Sequence, residues 1–125
     1  LREGVAPGAG ATEAAVADAV RSAATGVEGR KQLAVEAFAT AVEAVPRTLA
    51  QNAGLDPIDA VVDLRAATER GERVGIVLDD AGAIRFADPV EFGILDPVAV
   101  KVGAVEAAAE AATMILRIDD VVAAS

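Results

Sequence analysis

The chain has 125 residues, with 11 basic and 20 acidic side chains for a formal net charge of −9, and it contains no Cys, His, Trp or Tyr. Without Cys there is no disulfide, thiol nucleophile or zinc–thiolate site; without His a Ser-His-Asp hydrolase is excluded and a transition-metal site is disfavoured. The acidic balance argues against nucleic acid and anionic membrane as partners, since both need a basic patch.

The length suits one domain. Ala supplies about a quarter of the residues, and its helix propensity is the highest of all, so a mainly helical fold is expected. The core is poor in large side chains, with three Phe and one Met. Such a core buries little area per residue, and further burial against partner polypeptide is expected. No stretch of about 18 apolar residues is present to span a bilayer. Leu1-Arg2-Glu3-Gly4 lacks the pattern of a signal peptide, so a cytoplasmic location is expected. The first residue is not Met, as in a piece of a longer or processed chain.

In chain order, residues 4–11 form a small-residue loop. Thr12 is the expected N-cap of a helix running to about Ala24, with Glu13 in its electropositive first turn and Thr25-Gly26 as its end. A second helix over 29–45 follows from Leu33, Ala37, Phe38, Ala41, Val42 and Val45 at three- and four-residue spacing. Pro46 opens a short helical segment ending at Asn52, where Gly54 can take the left-handed C′ position. Asp56-Pro57 reads as N-cap and N1 of a third helix to about Arg70, with Ile58, Val61, Val62 and Arg65 on one face and Gly71 as its stop. Residues 73–78 and 83–87 read as a hairpin turning through Asp79–Gly82. The last helix is expected over about 97–114, with Asp96 as N-cap and Val98, Val102, Val105, Ala109, Ala112 and Leu116 as its seam. Residues 115–122 are β-prone and have no local partner strand, which points to pairing with another chain.

Several residues invite chemistry. The loop Pro7-Gly8-Ala9-Gly10-Ala11-Thr12 precedes a helix N-terminus, where exposed backbone N–H groups favour an anion or polar ligand. It lacks the Lys of a P-loop and the full G-x-G-x-x-G pattern, so a plain connector is the competing reading. Asp96 is either a helix cap or an acceptor for a ribose hydroxyl. Asp79-Asp80 and Asp119-Asp120 are carboxylate pairs, but six oxygen ligands for Mg²⁺ or Ca²⁺ are not grouped anywhere. Arg47, Arg65 and Arg117 lie beside apolar runs and are expected to pair with acids. No nucleophile–base set for a small independent enzyme is visible.

Two long strings go further. Residues 29–69, including Val45-Pro46-Arg47-Thr48-Leu49-Ala50-Gln51-Asn52-Ala53-Gly54-Leu55-Asp56-Pro57, closely resemble group II chaperonins of the archaeal thermosome type. Ala111-Ala112-Thr113-Met114-Ile115-Leu116-Arg117-Ile118-Asp119-Asp120-Val121-Val122 resembles the C-terminal end of the same subunits, and Val100-Lys101 after Asp96-Pro97 fits as well. The resemblance implies that residues 1–125 are the C-terminal half of an equatorial domain, with 1–11 the junction and nucleotide-side loop. The implied fold is mainly α, a partial equatorial helical bundle with one small β-hairpin and a C-terminal β-strand.

The same resemblance implies roles for individual residues. Gly8-Ala9-Gly10-Ala11 matches a Gly-Gly-Gly-Ala loop at the nucleotide, with Ala9 replacing the middle Gly. Asp96 matches the acid at the ribose, and Val77 and Leu78 fall on the adenine side. Ile118, Asp119, Asp120, Val121 and Val122 fall at a subunit junction. ATP and Mg²⁺ are the implied cofactors of the complete subunit. The Mg²⁺ ligands, in a Gly-Asp-Gly-Thr-Thr loop, and the water-positioning aspartate belong to the N-terminal half, so no catalytic or metal residue is assigned here. Hydrogen bonds to charged groups contribute about 1.5–3 kcal/mol each, so losing roughly three phosphate contacts would cost about 4–9 kcal/mol of nucleotide affinity. These 125 residues alone are therefore expected not to hydrolyse ATP. The implied partners are other chaperonin subunits in a ring, the N-terminal part of the same subunit, and unfolded client proteins held by an apical domain. The function implied is that of a part of an ATP-dependent folding chaperonin. The alternative is a shortened, stand-alone helical scaffold without ATPase activity.

Overall fold

The computed structural model describes residues 4–124, with side-chain surroundings given through residue 118. Its elements are β1 (Val5–Pro7), α1 (Ala11–Ala23), α2 (Arg30–Val42), α3 (Ala44–Asn52), α4 (Pro57–Glu69), β2 (Gly75–Leu78), β3 (Ile84–Ala87), a 3-10 turn (Pro89–Phe92), β4 (Leu95–Pro97) and α5 (Val98–Ala124). The mainly helical expectation holds, and β2 and β3 form the expected antiparallel hairpin, with Leu78 opposite Ile84 and Gly82 at φ +83° in its turn.

Alanine sets how the helices meet. Ala14 and Ala17 of α1, Ala39 of α2, and Ala108 and Ala112 of α5 are all buried. With one methyl group per contact, α2 packs along α5 on one side and α1 on the other. A second cluster joins Ala50 of α3, Ala60 and Leu64 of α4, and Ile76 of β2, with Leu55 and Val74 packed against it. Asp56 is the N-cap of α4, its Oδ1 accepting from Ile58 N at 2.9 Å and Asp59 N at 3.1 Å, with Pro57 at N1. Pro46 lies in the first turn of α3, where no intrahelical N–H is lost.

Six expectations are corrected. The second helix stops at Val42, and α3 begins at Ala44, ahead of Pro46. Thr12 does not cap α1: Gly10, at φ +81°, turns the chain into the helix two residues earlier, and Thr12 Oγ1 donates to the Pro7 carbonyl at 2.7 Å. Asp96 does not cap α5, because its residue is paired in β4 opposite Ala6 of β1. The buried side of α4 is Ala60, Val61, Leu64 and Ala67, while Ile58 and Val62 face outward; the α5 seam runs through Lys101, Ala108 and Ala112, leaving Val102 and Ala109 exposed.

The sixth concerns the C-terminal end. Residues 115–122 continue α5 to Ala124 and do not form a strand. Extending a helix adds one hydrogen bond per residue fixed, once the Ala-rich run before it has met the cost of nucleation. An isolated strand gains no such bond. Ile118 is exposed on that helix. The side-chain surroundings of Asp119, Asp120, Val121 and Val122 lie outside the described residues.

Candidate functional site

The β1–β4 pair was not legible in the sequence, and it places the loop. Antiparallel register sets Ala6 opposite Asp96 and Pro7 opposite Leu95. Residue 8 therefore leaves β1 directly beside the acid. Gly8 N donates to Ile94 O at 2.9 Å, and a Cβ on Gly8 would stand 2.9 Å from Ile94 Cγ2 and 3.2 Å from Asp96 Oδ2. Only glycine allows this approach.

The next two residues are seated as closely. Ala9 O accepts from Ile76 N at 2.9 Å, and a Cβ on Gly75 would lie 2.5 Å from that carbonyl oxygen. Ala9 has φ +56°, the one positive value at a non-glycine among the described residues. Gly10 abuts α3, where an added Cβ would be 2.8 Å from Pro46 Cβ. Strand β4, strand β2 and helix α3 thus hold consecutive loop residues, and α1 starts immediately after them.

Under the loop lies a buried ion cluster. Lys101 Nζ donates to Glu13 Oε1 and Oε2 at 3.1 and 2.9 Å and to Asp96 Oδ2 at 2.7 Å. Glu13 is 3% exposed and Lys101 7%, while the Asp96 side chain keeps 38% of its surface in contact with solvent. Burial pulls the Lys101 ammonium down, but the hydrogen bonds it donates to Asp96 and Glu13, and their charges, outweigh this and raise it above its ordinary value. Lysine is thereby kept charged inside the fold.

A second buried cluster sits about Glu43. Arg21 reaches it through Nη1 and Nη2 at 2.8 and 3.0 Å, and Arg65 through Nε and Nη2 at 2.7 and 2.6 Å. Burial alone would push the Glu43 carboxyl up; the hydrogen bonds from Arg65 and Arg21 and their charges bring it below its ordinary value. The same bonds raise both guanidinium groups. Four charge-assisted bonds saturate this carboxylate and tie α1 to α4 beside the start of α3.

The structure thus gathers Gly8, Ala9, Gly10 and Asp96 in one place, with Gly75 and Ile76 of β2 against them. Val77 is fully buried at 0% exposure, whereas Leu78 is exposed. Asp79 Oδ1 accepts from Ala81 N and Ala83 N, at 3.0 and 2.9 Å, and so shapes the hairpin turn. Of the arginines expected to meet acids, Arg65 does so, while Arg47 donates to the Thr40 carbonyl at 3.2 Å. Among the described residues no group of three or more acids could hold a metal ion, and no helix is long and apolar enough to cross a membrane. Sequence reasoning missed the Glu13–Lys101 pair. One signal was available: Lys101 interrupts Val98-Ala99-Val100 and Val102, and a cation within an apolar run needs a partner.

The family model of the TCP-1/cpn60 chaperonin family matches residues 1–125. The chain belongs to that family. It is 64% identical over 121 residues to thermosome subunit 3 of Haloferax volcanii, covering 97% of this chain and 23% of that protein. It is 53% identical over 117 residues to thermosome subunit beta of Archaeoglobus fulgidus, covering 94% and 21%. Among solved structures it is similar to the open-state monomer of a group II chaperonin from Methanococcoides burtonii, with TM-score 0.72 and 40% identity over 90% of this chain and 28% of that one. The chain spans about a fifth of the length of these curated chaperonin relatives. The resemblance read from residues 29–69 and 111–122 therefore extends along nearly all of it.

Proposed function

We propose that this chain is the C-terminal half of the equatorial domain of an ATP-dependent, ring-forming group II chaperonin subunit, and that it carries one wall of the nucleotide site. The carrying observation is the loop Gly8–Gly10 at the start of α1, in which Gly8 lies close against a partly exposed Asp96 of β4 while Gly10 is seated on Pro46. The loop backbone and helix N-terminus suit the polyphosphate side. Asp96 suits a ribose hydroxyl, because a carboxylate is acceptor-only and offers two oxygens. Exposed Leu78 can cover the base, while Val77, the residue before it in β2, is buried on the opposite face of the strand and anchors it. ATP fits these groups as a ligand held by backbone and one acid. Mg²⁺ has no cluster of acids among the described residues, and this reading assigns it, with the attacking water, to other parts of the subunit.

The same reading assigns folding of client proteins to the complete subunit in the cytoplasm, with further chaperonin subunits as partners. Exposed apolar residues support burial against more polypeptide: Ile58 and Val62 on α4, and Val100, Met114 and Ile118 on α5. The test is Asp96→Ala in the full-length subunit, with nucleotide affinity measured by fluorescent-analogue titration. A lost hydrogen bond to a charged acceptor predicts about tenfold weaker binding or more. Asp63→Ala, on the exposed side of α4, should leave affinity unchanged. Undiminished binding by Asp96→Ala would overturn the assignment.

A further inference from the structure

We infer that Lys101 is a positioning residue for nucleotide selection: with Glu13 as its anchor, it fixes the orientation in which Asp96 meets the ribose. This rests on the reading of Asp96 given above and adds the two residues that aim it.

The geometry is specific. Lys101 is in the first turn of α5, Glu13 in the first turn of α1, and Asp96 in β4, so one ammonium group joins three elements. Its bond to Asp96 is the shortest of the three, at 2.7 Å, and takes Oδ2. That same oxygen lies 3.2 Å from where a Cβ on Gly8 would be. Oδ2 is therefore held between the lysine and the loop, and Oδ1 is the oxygen whose acceptor capacity this bond leaves unused. Without Lys101 nothing in this cluster would keep a half-exposed aspartate in one rotamer, since β4 is only three residues long and pairs with a three-residue β1. Glu13 contributes by fixing the lysine. Both its oxygens accept from Nζ, and its place in α1 three residues after Gly10 ties that grip to the loop itself.

Removing Lys101 alone would leave the Glu13 carboxylate buried without its partner, which is strongly destabilising. The informative variant is therefore Lys101→Met combined with Glu13→Gln, which removes both buried charges and leaves Asp96 intact. The full-length subunit is titrated with ATP, 2′-deoxy-ATP and 3′-deoxy-ATP, and the ratio of affinities is the readout. General loss of stability weakens all three nucleotides alike and does not move that ratio.

The expected result is that the parent prefers ATP over at least one deoxy analogue. Asp96→Ala abolishes that preference, and the double variant reduces it by about tenfold, the effect of misplacing one hydrogen bond to a charged group. If Asp96→Ala abolishes the preference and the double variant keeps it, the positioning role of Lys101 is overturned while the ribose reading stands. If Asp96→Ala leaves the ratio unchanged, the ribose reading fails and this inference fails with it.

Discussion

Glu43 and Asp96 are both carboxylates held by cations, yet they are held differently. Glu43 gives both oxygens to two arginines and is almost wholly enclosed. Asp96 gives one oxygen to Lys101 and remains partly open beside a glycine loop. The first arrangement uses up its acceptor capacity in joining helices. The second orients an acid and leaves part of it available. Charge pairing is common to the two; what separates a tie from a group still able to meet a ligand is the acceptor left over.

The largest expected effect breaks the Glu43 cluster. Glu43→Ala leaves two guanidinium groups facing each other, and breaking a buried pair costs about 3–5 kcal/mol. Arg65 and Arg21 are partly exposed, so the lower end of that range is expected, read as a lowered urea midpoint of the full-length subunit. Asp96→Ala should cost less than half as much, since Lys101 retains Glu13. Equal losses would erase the contrast.

A second test acts on the loop seat. Gly75→Ala forces a Cβ against the Ala9 carbonyl, and overpacking of this kind costs about 1–3 kcal/mol. Nucleotide affinity should fall with it, whereas Glu43→Ala should leave the affinity of the folded fraction unchanged.

Acid and alkali should separate the two clusters. The folded state holds the Glu43 proton less tightly than the unfolded chain does. Its contribution is therefore complete above the ordinary glutamate range and is lost as pH falls through the lowered folded value. Lys101 is raised, so its contribution is complete below the ordinary lysine range and is lost as pH rises through the folded value. Stability profiles against pH should lose part of their acid limb in Glu43→Gln and part of their alkaline limb in the Lys101→Met, Glu13→Gln double variant.

The smallest effect has the opposite sign. Ala9→Gly relieves a left-handed alanine at φ +56°, which costs about 1–2 kcal/mol, less what the freer unfolded chain takes back. A net gain of about 0.5–1 kcal/mol in unfolding free energy is expected. A loss on this substitution would show that the Ala9 methyl is needed in the loop.

Much was legible along the chain because its causes are local. Asp56-Pro57 announced α4, Gly82 announced the hairpin, and alanine content announced a helical domain. The strings 29–69 and 111–122 were long enough to mark the chaperonin family. The loop Gly8–Gly10 and Asp96 were both visible as residues. Their adjacency came only with the resemblance, since the three-residue pairing of β1 with β4 joins segments some ninety residues apart and carries no local signal. The C-terminal end misled for a related reason: β-branched residues favour a strand only where a partner strand exists, and helix extension from the Ala-rich run needed none.

Composition and spacing thus determined the helical character, the Asp56 cap and the hairpin turn, all of which depend on neighbours within a few residues, and two long strings of residues marked the family. Tertiary structure alone decided which charges meet. Glu13 and Lys101 are 88 positions apart, and no periodicity links an acid in one helix to a lysine in another. Only the packing that removes both from water makes them partners, because a buried ammonium is tolerated only where carboxylates replace its hydration.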